Sequence, residues 1–152
     1  MLYPASELLF SAGAVIFDKT RTSVLAIVSK NDQRGVEEIM FPKGRLEKDE
    51  TPAAAAVREV LEETGARCTL WPGLQAMETR HSKAISKTKV VYWYAGDLVA
   101  MGEQMLESHE KLEVRWVDVE SAASVLSFEN DRELLAICLE ALADGLIGKQ
   151  AT

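Results

Sequence analysis

The segment Glu7 to Asp18, ELLFSAGAVIFD, is apolar nearly throughout and predicts a buried strand, with Gly13 inside it permitting a close approach of backbone. Asp18 to Ser23 is polar and predicts a turn, and Val24 to Val28 predicts a second strand. Lys30 to Glu37 is charged and predicts a loop, after which Ile39-Met40-Phe41 predicts a short strand. That strand delivers Phe41-Pro42-Lys43-Gly44, whose proline and glycine constrain the backbone that follows. The pattern then turns helical. Thr51 is an N-cap, Pro52 takes the first helical position and four alanines follow. No breaker intervenes before Gly65, which stands where a left-handed terminal residue belongs.

Beyond this helix, Ala66 to Thr79 has mixed character, with one strand predicted near Cys68 to Trp71 and another after Pro72. Arg80 to Lys89 is the most basic stretch, with Arg80, Lys83, Lys87 and Lys89 plus His81 and no acid, and predicts either a solvated loop or a cationic rim that grips phosphates opposite the acidic helix. Lys89 to Val99, KVVYWYAGDLV, is rich in β-branched and aromatic residues and predicts a strand. Alternation sets Val90, Tyr92 and Tyr94 on one face and Val91 and Trp93 on the other. Ala100 to Met105 predicts a turn, and Glu107 to Asp118 passes from a polar loop into a strand at Leu112 to Val117. Val119 to Ser127 and Asn130 to Asp144 predict helices. The second gathers Leu134, Leu135, Cys138, Leu139 and Leu142 on one face for packing on a sheet, and Gly145 ends it. Strands, helix, strands, then helices describe an α+β fold or α/β/α sandwich in one domain spanning residues 1–152.

A composition of 47% apolar and 27% charged residues is that of an ordinary globular protein. No apolar run is long enough to span a bilayer, and MLYPASELLF lacks the basic region and apolar core of a signal peptide. Cys68 and Cys138 are expected to be free buried thiols rather than a disulfide, which points to a reducing cytoplasmic compartment. The net charge of −7 excludes a general affinity for nucleic-acid backbones, though not for a small polyphosphate whose charge a bound cation offsets.

The chemistry concentrates on the helix. At about 100° per residue, Glu59 and Glu63 lie about 40° apart around the axis and Glu62 about 60° from Glu59. Like charges so spaced repel by a few tenths of a kcal/mol per pair, roughly, unless a cation sits among them. A hard divalent ion held through oxygen would relieve that repulsion, and Mg²⁺ is typically bound by one or two carboxylates together with substrate phosphates. The other reading of such a cluster is a solvated acidic face.

The surrounding residues decide between these readings. Gly44, Glu50, Arg58, Glu59, Val60, Glu62, Glu63 and Gly65 match the motif G-x(five)-E-x(seven)-R-E-U-x-E-E-x-G-U, in which U is a bulky aliphatic residue. Only the last position departs, Ala66 standing for the aliphatic. The stretch resembles the Nudix box of the Nudix hydrolases. The resemblance implies an α/β/α sandwich with a mixed central sheet and hydrolysis of a phosphoanhydride in a nucleoside diphosphate derivative. It further implies Mg²⁺, with Mn²⁺ as the substitute ion, held by Glu59, Glu63, the Gly44 carbonyl and Glu62, the last as ligand or as base on the attacking water. Arg58 and Glu50 would pair to hold the helix against the loop.

Outside the box, Lys87, Thr88, Lys89, Tyr92 and Trp93, with Ser108, His109, Glu110, Arg115 and Trp116, resemble the diadenosine tetraphosphate hydrolases of animal type. This implies cleavage of a dinucleoside polyphosphate by water, with Glu110 reaching the metal cluster as a ligand or base. It implies phosphate contacts from Lys87 or Lys89 and an aromatic stacking on adenine. The place of that aromatic is nearest to His81, and Tyr92 and Trp93 are candidates otherwise found in a core. Lys43 and Arg45 are further candidates to neutralise phosphate oxygens. Phe41-Pro42-Lys43-Gly44-Arg45 also resembles the diphosphoinositol polyphosphate hydrolases, and nucleoside triphosphate pyrophosphatase activity is a third reading. A non-catalytic nucleotide sensor would be expected to lack one of Glu59, Glu62 and Glu63, all present here.

Overall fold

The computed structural model describes residues 2, 4–31, 35–106 and 112–145. Eight strands form one mixed sheet among them: β1 (Leu8–Phe17), β2 (Ser23–Asn31), β3 (Val36–Met40), β4 (Lys43–Arg45), β5 (Ala66–Leu70), β6 (Ala76–Ser82), β7 (Lys87–Met101) and β8 (Leu112–Asp118). Helices α1 (Pro52–Thr64), α2 (Ala122–Val125) and α3 (Glu129–Ala143) complete the element order after a short 3₁₀ turn at Ala5–Glu7. The two long strands β1 and β7 run parallel from Leu8↔Thr88 to Phe17↔Asp97, and the other pairings are antiparallel. The expected α+β sandwich is therefore observed.

Alternation along β1 divides the core. Ala12, Ala14 and Ile16 face α1, where they meet Ala55, Ala56 and Val60. Val15 and Phe17 face the other way, into a cluster with Trp93, Trp71 and the α3 residues Leu134, Leu135 and Cys138. Tyr92 and Tyr94 fall on the α1 side and Val91 and Trp93 on the α3 side, as the alternation predicts. Gly13 lets the chain cross at Pro42, because a Cβ there would lie 2.3 Å from the Pro42 carbonyl oxygen. Cys68 and Cys138 are free, and burial pushes their thiols up to about 11 and about 12.

Three expectations are corrected. The loop from Lys30 to Glu37 is shorter, because β2 runs to Asn31 and β3 begins at Val36. The basic loop from Arg80 to Lys89 is largely a hairpin, with Arg80↔Lys89, His81↔Thr88 and Ser82↔Lys87 in register. Its polar residues read as loop because β6 lies beside β7 with much of its surface exposed, where polar side chains are tolerated. The helix from Val119 to Ser127 shrinks to α2, since Leu126 turns extended and Ser127 is taken by Ile39. Two hydrogen bonds, Ile39 N–H to Ser127 Oγ at 2.7 Å and Ser127 N–H to the Ile39 carbonyl at 3.0 Å, outweigh local helix propensity there.

Among the described residues no helix is long and apolar enough to cross a membrane.

Candidate active site

Helix α1 is built from its ends inward. Thr51 accepts the Ala54 N–H at 3.2 Å, and Gly65 closes the other end in the left-handed conformation, φ 78°. The segment after β7 caps the acidic end: Met105 N–H donates to the Glu62 carbonyl at 2.8 Å and Gln104 Nε2 to that of Glu63 at 2.7 Å. The carbonyls left over at a helix C-terminus are thus satisfied by protein.

Arg58 ties this helix to the strand before it. Its Nε donates to Glu50 at 2.7 Å, and its Nη2 to Glu50 at 2.9 Å and to the Arg45 carbonyl at 2.8 Å. Such a forked, charge-assisted pair is among the stronger side-chain interactions. It holds the Glu50 carboxyl down at about 2 and raises the Arg58 guanidinium. The third nitrogen, Nη1, donates to Glu59 at 2.8 Å and Glu62 at 3.1 Å. The cation required by the crowded carboxylates is therefore supplied in part from within the helix itself.

Glu59 lies directly over Gly44. A Cβ on residue 44 would sit 2.1 Å from the Glu59 carboxyl carbon and 2.3 Å from each oxygen, so the glycine forms the seat of that carboxylate. Burial pushes the Glu59 carboxyl up, Arg58 draws it back, and the neighbouring Glu62 adds to the rise. Glu63 is buried and Glu62 is the most accessible of the three. All three acids, with Gly44 and Arg58, line a cavity of about 750 Å³ that Met105 and Leu106 bound on one side.

Among the described residues, no group of three acid, histidine or cysteine side chains forms a ready metal cage. The donor set instead fits an open oxygen site: carboxylates converge on one cavity over a glycine that leaves room, and phosphate would complete the coordination. Glu110, with Ser108 and His109, lies outside the described residues.

The candidate phosphate ligands divide. Lys43, Arg45, His81 and Lys89 line a second cavity of about 420 Å³, which shares Lys43, Gly44 and Arg45 with the first. Lys87 is placed elsewhere, its ammonium donating to the Ser6 carbonyl at 2.5 Å. Tyr92 stacks on Phe10 on the α1 side of the sheet, with ring centroids 6.3 Å apart, away from this cavity. His81 bonds through Nδ1 to Thr88 at 3.0 Å.

Arg80, the first cation of the basic stretch, joins the cationic lining. Strand register brings it there, because pairing opposite Lys89 puts both side chains over one rung. Arg80 forms an ion pair with the half-buried Glu78, which also accepts from Trp93 Nε1 at 3.3 Å. Farther along the same ladder, Ala76, Met77, Glu78, Trp93, Asn130 and Ile137 contribute to a third cavity of about 270 Å³ against α3. Nothing in the linear pattern announces that cavity, since its walls come from residues more than fifty positions apart.

Known proteins resemble this chain at several levels. It is 32% identical over 146 residues to a Mycobacterium tuberculosis protein that carries the name mutator protein MutT4, aligning 91% of this chain with 56% of that one. It is 31% identical over 95 residues to an 8-oxo-(d)GTP phosphatase of Mycolicibacterium smegmatis, aligning 62% of this chain with 28% of that one. The chain thus spans about half, or less, of the length of these curated relatives. Among solved structures, the C. elegans Ap4A hydrolase binary complex superposes with TM-score 0.71 at 23% identity, covering 90% of this chain and 98% of that one. A NUDIX hydrolase from Nitrosomonas europaea gives TM-score 0.70 at 18% identity, covering 88% and 89%. Both likenesses speak for the fold. Residues 8–137, from the first strand through the acidic helix and into α3, match the NUDIX domain, and the chain belongs to that family.

Proposed function

We propose that this protein is a Nudix pyrophosphohydrolase that cleaves a phosphoanhydride bond in a nucleoside polyphosphate, with a dinucleoside polyphosphate such as diadenosine tetraphosphate as its substrate. The observation that carries the reading is the continuity of two cavities of opposite charge. Carboxylates of α1 line one, Lys43, Arg45, Arg80 and Lys89 line the other, and Lys43-Gly44-Arg45 belong to both. A polyphosphate chain can then lie across the junction with one anhydride over the acids and its remaining phosphates among the cations.

Gly44, Glu59, Glu62 and Glu63 would hold Mg²⁺, and Glu110 is a further candidate from its own loop. The bound ion supplies an acidified water and charge neutralisation at the phosphate. Glu62, the most accessible acid, takes the proton of the attacking water. Arg58 keeps Glu59 and Glu62 apart and oriented, and Glu50 keeps Arg58 in place. The basic side chains neutralise non-bridging oxygens as charge develops.

A second reading, a nucleoside triphosphate as substrate, is favoured by the cavity against α3, to which Trp93 and Asn130 contribute an aromatic ring and an amide. The mutator-type and 8-oxo-(d)GTP phosphatase relatives agree with it. Steady-state turnover of diadenosine tetraphosphate, a diphosphoinositol phosphate, and plain and oxidised nucleoside triphosphates, with products identified, separates the readings. Equal rates on all four, or none on any, would defeat the dinucleoside assignment.

A further inference from the structure

The last turn of α1 carries Glu62 and Glu63 where a helix tolerates acids least. Its C-terminus is the negative end of the dipole, Glu59 one turn back adds like-charge repulsion, and no basic residue stands in that turn. Left to local preference the turn would fray, and with it the direction of both carboxylates. The segment after β7 opposes this with three donors. Gly102 N–H donates to the Gly65 carbonyl at 2.7 Å, Met105 N–H to that of Glu62 at 2.8 Å and Gln104 Nε2 to that of Glu63 at 2.7 Å. The segment lies close, because a Cβ on Gly65 would be 2.2 Å from the Gly102 carbonyl oxygen. Of the three donors only Gln104 is a side chain, and the same nitrogen reaches the Leu112 carbonyl at 3.0 Å, where β8 begins. A primary amide has two N–H groups, and both are used. Strand β8 is in turn paired with β2 from Ser29↔Leu112 to Ser23↔Asp118. Water would satisfy the Glu63 carbonyl too, but it would tie the helix end to nothing.

We infer that Gln104 is a positioning residue for the acids of α1: its amide, bridging the Glu63 and Leu112 carbonyls, keeps the last turn wound against the sheet and so holds Glu62 and Glu63 directed into the carboxylate cavity. Both acids line that cavity, and Met105 and Leu106, which follow Gln104 directly, are part of its wall. Two of the three carbonyls bonded by this segment belong to the acids themselves, so winding of the turn and placement of the carboxylates are one event. Oxygen ligands ordered beforehand need not be ordered when a cation arrives. The carboxylate that gains most is Glu63, whose own carbonyl is the one Gln104 holds.

The inference rests on the reading of the carboxylate cavity as the metal site, and the test separates the two. Q104M keeps the length of the side chain and removes both donors. Q104N keeps the amide but is too short to reach both carbonyls. Hydrogen exchange of the Gly65 amide, bonded to the Leu61 carbonyl at 2.8 Å, reads the winding of the last turn with no metal present. Electron paramagnetic resonance of free Mn²⁺ reads the affinity of the cavity. In Q104M the Gly65 amide should exchange about fivefold faster and Mn²⁺ bind about fivefold more weakly, the worth of one net hydrogen bond in each case. The Ala55 amide, at the other end of the helix, should exchange as before. In an E63Q background the Q104M effect on Mn²⁺ should shrink while its effect on exchange persists, since the Glu63 carboxylate is the mediator. Failure of the unmodified chain to bind Mn²⁺ would remove the metal reading and this inference with it. Faster exchange at Gly65 with unchanged Mn²⁺ affinity would leave Gln104 a helix cap and overturn the positioning role alone, as would a Q104M effect of full size in E63Q. If Q104M does not fold, Q104N must show both shifts or the role is refuted.

Discussion

Gly44→Ala is the sharpest test of how the site is assembled. The glycine is not in the left-handed region, so alanine meets no backbone penalty there and its methyl group is the only perturbation. That methyl would stand 2.1 Å from the Glu59 carboxyl carbon, whereas carbon atoms pack at about 3.5–4.0 Å, so more than roughly 1 Å must be recovered by movement. Glu59 is 13% exposed and held by Arg58 at 2.8 Å, which leaves it little room to retreat without losing that bond. Overpacking of this kind costs about 1–3 kcal/mol. For a chain of this size each kcal/mol lowers the melting temperature by about 2–4 °C, giving a fall of roughly 2–12 °C. Displacement of a reacting group by about 1 Å can cost on the order of a hundredfold in rate. Thermal melts and Mg²⁺-supported turnover on the best substrate measure both. Gly73→Ala is the control, because open space surrounds Gly73 and only its positive φ of 85° is disturbed. If G44A melted and turned over like the unmodified chain, the seat formed by Gly44 for Glu59 would be refuted.

Four further outcomes are expected. Glu62→Gln should fold normally and lose about 10²–10⁴ in kcat, measured by phosphate release, as befits removal of a general base. Glu50 has its carboxyl lowered from 4.5 to about 2, so the stability it contributes is present above pH 4.5 and lost as pH falls towards 2. The melting temperature of E50Q should therefore fall less steeply than that of the unmodified chain as pH drops from 4.5 towards 2. Asp97 accepts Arg21 Nε and Nη2 at 3.0 Å and Trp71 Nε1 at 2.9 Å at a point remote from the carboxylate cavity. Asp97→Ala should cost about 1–3 kcal/mol in denaturant melts and leave kcat/KM unchanged. Chelation of divalent ions should abolish turnover while circular dichroism stays native, because Arg58 already balances Glu59 and Glu62 from within.

Those two roles of Arg58 clarify why the acidic helix is stable at all. Three carboxylates within one turn would weaken an isolated helix. Here the same guanidinium that pins the helix to Glu50 and the Arg45 carbonyl also sits between Glu59 and Glu62. The fold is held by one side of the fork and the acids are kept apart by the other. Substrate and metal then meet an arrangement that needs little ordering on binding.

Read from residues alone, the helix was legible in full, because capping, breakers and the 3.6-residue period act over a few positions. Thr51, Pro52 and Gly65 mark its ends, and the spacing of Glu59, Glu62 and Glu63 already puts three acids on one face. The strand alternation that sends Tyr92 and Trp93 to opposite sides is local in the same sense. Tertiary contacts decided the rest. Whether Lys87 or Arg80 meets the cationic cavity depends on hairpin register and on what lies across the sheet, and Ser6 drew Lys87 away. Ser127 left a helical pattern because Ile39, far off in sequence, offered two backbone bonds. Asp131 reads as any acid opening a helix, and only the arrival of the Phe41 amide at its carboxylate in the fold makes it a buried acceptor. Local preferences choose elements, but distances between elements choose which charges meet, and a linear pattern carries no such distances.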